Sequence, residues 1–141
     1  MAGSATSYLE QAILGHTLAF AALPMPASVF VGLCTSAPTA QTPGTEVSGG
    51  GYSRPVGTFA LANMPPNSIA ANSATIQFPA ATSDWGVIGW FEIWDANIPG
   101  GNRLYWGPLL DPNDGVTPIT RQVLTGDIMR FQAGTLLVQA F

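Results

Sequence analysis

Only residues 7–22 carry apolar positions at helical spacing. Leu9, Ile13 and Phe20, with His16 between them, lie close to one helical stripe. Ser7 and Glu10 stand at capping-box spacing, in which the serine oxygen accepts a free backbone N–H and the glutamate reaches back. Pro24 and Pro26 forbid continuation. After Pro26 the pattern changes to short apolar runs divided by Gly, Pro, Asn and Asp, the mark of strands and turns. Residues 74–78 alternate, with Ala74, Ile76 and Phe78 on one face and Thr75 and Gln77 on the other. Residues 87–94 are apolar on both faces, Val87, Phe91 and Ile93 against Ile88, Trp90 and Trp94. Such a strand belongs in the middle of a sandwich or against a neighbouring subunit. Further strands are expected at 28–34, 58–61, 104–106, 119–123, 128–131 and 136–141.

These elements predict a mainly β fold: an antiparallel, jelly-roll-like β-sandwich of roughly seven to nine strands with one N-terminal α-helix. The 141 residues fit one domain. Within it, residues 1–26 form the N-terminal tail and helix and 27–141 the sandwich. Residues 35–55, rich in Pro, Thr and Gly, exceed an ordinary connection and read as a functional loop or an arm.

Charge changes the picture. Only 9% of residues are Asp, Glu, Lys or Arg, there is no lysine, and the cations are Arg54, Arg103, Arg121 and Arg130. A free monomer with so few charges is poorly protected against self-association, so assembly with neighbours is expected. The formal net charge of −4 argues against a nucleic-acid partner. No secretory leader is expected, and the apolar run at 12–23 is too short to span a bilayer. The expectation is a protein made in a cytoplasm and not placed in a membrane.

Candidate chemistry is sparse. His16 is the only histidine and Cys34 the only cysteine, which leaves no catalytic triad and no zinc ligand set. Cys34, inside an apolar run, reads as a small buried hydrophobe. Asp111-Pro112-Asn113-Asp114-Gly115 resembles a calcium loop but lacks the distal glutamate, and reads as a tight turn. Glu92 and Asp95 could be imagined as a glycosidase pair, yet a salt bridge from Glu92 to an arginine is simpler. Gly49-Gly50-Gly51 has no following Lys-Ser/Thr, so it is not a phosphate loop. Trp85, Trp90, Phe91, Trp94 and Trp106 are candidates for core or subunit interface, with a glycan-stacking platform as the rival reading. No enzyme, cofactor or metal is expected.

Five segments bring a family to view. Val29-Phe30-Val31-Gly32-Leu33 with Thr35-Ser36-Ala37-Pro38, and then Gly50-Gly51-Tyr52-Ser53-Arg54, resemble elements of small bacteriophage proteins labelled tail-fibre-like. So do residues 76–86, the strand Phe91-Glu92-Ile93-Trp94-Asp95-Ala96 and the closing run 126–134. The resemblance implies a virion structural protein made in the bacterial host. By analogy with phage decoration and fibre proteins it implies a homotrimer, contacting the major capsid protein or tail proteins. Tyr52 and Arg54 are then candidate contacts of the loop or arm. A compact chain without heptads or collagen repeats favours a capsid decoration, or cement, protein that reinforces the head. A tail fibre or other minor tail component is the alternative, and a glycan-binding module for host attachment is a further one.

Overall fold

The structure, a computed structural model, describes residues 3–63, 68–98 and 100–140. Among these, twelve short strands and one helix form a mainly β fold of antiparallel sheets that do not close into a barrel. Strand β1 is Ser4–Ala5, followed by α1 (Ser7–Leu18), β2 (Val29–Cys34), β3 (Val56–Gly57) and β4 (Phe59–Asn63). Next come β5 (Ile69–Asn72), β6 (Ile76–Gln77), β7 (Gly86–Ile88) and β8 (Trp90–Trp94). The last are β9 (Arg103–Pro108), β10 (Arg121–Val123), β11 (Arg130–Phe131) and β12 (Leu137–Gln139).

The strands form a five-stranded sheet of order β1-β9-β8-β2-β3, a three-stranded sheet β12-β5-β4, and two ribbons, β10-β7 and β11-β6. One core takes side chains from all of them: Val31 and Leu33, Phe91 and Ile93, Val138, Ile76 and Phe131, Ile88 and Val123. The strand count exceeds the expected seven to nine for two reasons. Strands β1, β3 and β5 carry no alternation that announces them. The expected strand at 87–94 is two, because Gly89 lets the chain change partners, β7 going to β10 and β8 to β2 and β9. The switch also inverts the expected facing, since Ile88 is buried while Val87 is half exposed.

The helix differs from expectation at both ends. Its N-cap is Thr6, not Ser7: the Thr6 hydroxyl accepts from Leu9 N–H at 3.3 Å and donates to the Arg103 carbonyl at 2.6 Å. Thr6 can join the helix to β9 in this way because it is buried. The helix stops at Leu18, short of residue 22, because Phe20 takes a left-handed conformation (φ 55°) and Ala21 N–H turns back to the Gly15 carbonyl. No helix side chain is buried. The first turn of the helix rests on the body, with Ser7 N–H donating to the Ala40 carbonyl at 2.9 Å, and the rest of residues 7–28 extends from it as an arm, on which Leu18, Phe20 and Met25 are 74%, 91% and 91% exposed.

Candidate functional site

The five-stranded sheet places the residues singled out by sequence on two faces. Alternation along β8 sends Phe91 and Ile93 into the core and Trp90, Glu92 and Trp94 to the opposite face. Segment 35–55 lies over that opposite face. It is a loop tied down along its length: Thr35 N–H donates to the Thr45 carbonyl at 2.9 Å, Val47 N–H to the Leu33 carbonyl at 3.0 Å, and Cys34 bridges Glu46.

Two ion pairs fasten it. Glu92, with no solvent exposure, accepts from Arg103 Nη1 at 3.2 Å and from Gly44 N–H at 2.9 Å through the same oxygen, Oε1. Arg103 Nη2 continues to the Thr39 carbonyl at 2.6 Å. Glu46 takes both arms of the Arg54 guanidinium, each at 2.7 Å, and accepts the Tyr52 hydroxyl at 2.6 Å. Arg54 also donates to the Ala96 and Ile98 carbonyls and lies 4.2 Å from the centre of the Trp94 ring. Gly32 permits this close approach: a Cβ there would stand 2.7 Å from Glu46 Oε1.

Protonation follows from this packing. Burial pushes the Cys34 thiol upward, and the adjacent Glu92 carboxylate adds to the shift, so the thiol stays protonated. Burial and the hydrogen bond to Glu46 raise Tyr52 likewise. Burial lowers Arg103, opposed by Glu92. For Arg54 burial also pulls downward, but its bonds to Glu46 outweigh it and the net direction is up. Both carboxylates are engaged by arginines, so the arrangement does the chemistry of a clamp rather than of a general acid and base.

Trp85 is buried, its indole N–H donating to the Gly50 carbonyl at 2.8 Å, with Tyr52 edge-on at 5.3 Å. Gly49, Gly50 and Gly51 all have positive φ, and this turn brings the glycine run against Trp85. Phe91 belongs to the core, while Trp90, Trp94 and Trp106 are half-buried. Trp85 is enclosed, and one face of Trp94 lies under Arg54. Tyr52 and Arg54 make their contacts within the chain. Sequence reasoning missed Glu46, Arg103 and Thr6; the scarcity of charge was the available signal, since each buried cation must find a carboxylate.

The remaining candidates hold local structure. Asp111 Oδ1 accepts Asn113 N–H at 2.9 Å. Asp114 accepts Val116 N–H, Thr117 N–H and the Thr117 hydroxyl, which hold its carboxyl down to about 2. Asp95 accepts from Asn102 through both oxygens, closing the β8–β9 turn. The His16 ring nitrogen Nδ1 lies 3.0 Å from the Ala21 carbonyl at the end of the helix.

A clamped loop on a small sandwich, with a bare helical arm, is the geometry on which the family comparison falls. Residues 4–139 match the family described as Podophage GP4 fiber I protein gp80. The chain belongs to that family. It is therefore a bacteriophage virion structural protein, as the quoted segments implied. The family's description is that of a fibre, which does not support the head-decoration reading; the tail-fibre alternative fits better. No curated protein matches the sequence.

Proposed function

We propose that the chain is a non-catalytic subunit of the tail fibre, joined to copies of itself as a trimer and to neighbouring tail proteins through the arm at residues 7–28. The observation that carries this reading, beside the fibre family, is the arm. It presents Leu14, Leu18, Phe20 and Met25 to solvent and carries one carboxylate, Glu10, and no Lys or Arg. Such a surface is costly to leave in water, by about 25 cal/mol per Å² of apolar area. A face without opposing charges can meet its own copy without repulsion.

Copy number per virion, measured by quantitative mass spectrometry with antibody labelling in electron microscopy, tests the position. A count far below that of the major coat protein, with label on the tail, is expected. A count equal to the coat protein, with label on the head, overturns it. Light scattering of the purified chain tests self-association: a mass of three 14.7 kDa protomers is expected, reduced by Leu18→Glu with Phe20→Glu. A strict monomer overturns the trimer.

A further inference from the structure

The chain has four cations and eight carboxylates. Arg54 and Arg103 are neutralised by Glu46 and Glu92. Among the described residues, Arg121 and Arg130 form no salt bridge and no side-chain hydrogen bond. Both nevertheless line the same groove, a cavity of about 210 Å³ with no Asp or Glu in its wall. The fold brings them there from separate ribbons: Arg121 begins β10, opposite Ile88 of β7, and Arg130 begins β11, opposite Gln77 of β6. The exposed Gln132 shares the groove with them, over buried Phe91, Leu109 and Phe131.

We propose that this groove binds a compact organic anion, its carboxylate or phosphate held by Arg121 and Arg130 and its ring or short chain laid on the apolar floor. Three features support it. Two guanidinium groups without a carboxylate partner meet at one groove, and no Asp or Glu is among the residues that line it. Guanidinium is the side chain suited to planar recognition of carboxylate and phosphate. The volume is below the about 300–1,000 Å³ of a drug-sized ligand pocket, which suits one ring or a short chain rather than a long polymer. The site belongs to the chain wherever in the virion the chain sits, so its failure would leave the fibre reading standing.

The test is a ¹H–¹⁵N NMR titration of the full chain with glucuronate, glucose 6-phosphate, glucose and inorganic phosphate. Saturable shifts in the Nε–H signals of Arg121 and Arg130 are expected with the two charged sugars and not with glucose. Preference for glucuronate identifies a carboxylate site, preference for the sugar phosphate a phosphate site, and either sustains the proposal. Arg121→Gln and Arg130→Gln should each weaken binding at least about tenfold, the scale of one charge-assisted hydrogen bond, with Arg130→Lys intermediate. Unchanged thermal melting of the variants secures that the fold is intact. The proposal is overturned if glucose binds equally, if neither charged sugar saturates, or if the Gln variants bind as the parent does. Inorganic phosphate binding as tightly as the sugars overturns the part assigned to the apolar floor.

Discussion

Replacing Glu92 by glutamine tests the clamp between sheet and loop most sharply. The amide keeps the shape and its oxygen can still accept from Gly44 N–H and Arg103, but it leaves Arg103 as a buried cation with no carboxylate to neutralise it. Removing one partner of a buried ion pair costs about 3–5 kcal/mol, because the other charge stays desolvated. Both side chains qualify as buried, at 0% and 7% exposure. That loss is a large share of a typical domain stability of about 5–15 kcal/mol. At roughly 2–4 °C per kcal/mol for a chain near this size, Glu92→Gln should lower the melting temperature by about 6–20 °C in a circular-dichroism melt. The Gly44 amide should also exchange faster with solvent as loop 35–55 loosens. Glu92→Leu combined with Arg103→Met removes both charges and should recover most of the loss. A Glu92→Gln melt within about 2 °C of the parent, below the shift expected for 1 kcal/mol, would refute the reasoning.

Thr6→Ala removes the helix cap and the donor to the Arg103 carbonyl together, so a urea titration should show a loss of about 1–3 kcal/mol, with Thr6→Ser near the parent; equal stability of the alanine variant would remove Thr6 as the joint. Gly50→Ala places a Cβ 2.6 Å from Ser83 Oγ and 2.9 Å from Trp85 Nε1 at a φ of +59°. It should cost at least about 1–2 kcal/mol and shift tryptophan emission, and an unaltered spectrum and melt would contradict the docking described. The Asp114 carboxyl is held down to about 2 by the turn that it caps. A depressed folded value means that the turn's contribution is present above the unfolded carboxyl pKa, near 4, and is lost as pH falls through about 2. Carbon-detected NMR titration should give that low midpoint, and a midpoint near 4 would show that the turn bonds do not form.

Much of the β architecture was legible because burial on one face writes itself as alternation. The alternating residues 74–78 contain β6, the apolar run 28–34 contains β2 for its β-branched and aromatic content, and Pro24 with Pro26 confines helix to the N-terminal quarter. The cap was misplaced by one residue because Thr6 and Ser7 carry the same hydroxyl chemistry, and only burial against β9 selects between them. Gly89 as the point of exchange between sheets was not legible, since a glycine between apolar neighbours reads as uninterrupted strand until the partners are known. The clamp was half legible: Glu92 was expected to meet an arginine, but Arg103 joins it across a hairpin and Gly44 comes from 48 residues away. Arg121 and Arg130 stand apart only once the other two arginines are seen to be paired.

The two ends of the described chain meet. Gly3 N–H donates to the Leu137 carbonyl at 3.3 Å, Gln139 N–H donates to the Gly3 carbonyl at 2.7 Å, and β1 is paired along β9. β1 itself needs only β9 to pair, but the join between Gly3 and β12 closes only once residues 137–139 are in place. Closure of such long-range pairings is slow, because chain entropy is lost before contacts compensate for it. Throughout that interval the apolar arm at 7–28 hangs from an unfinished body. A chain cut before residue 137 would keep the β1–β9 pairing but leave Gly3, at the root of the arm, without its partners in β12.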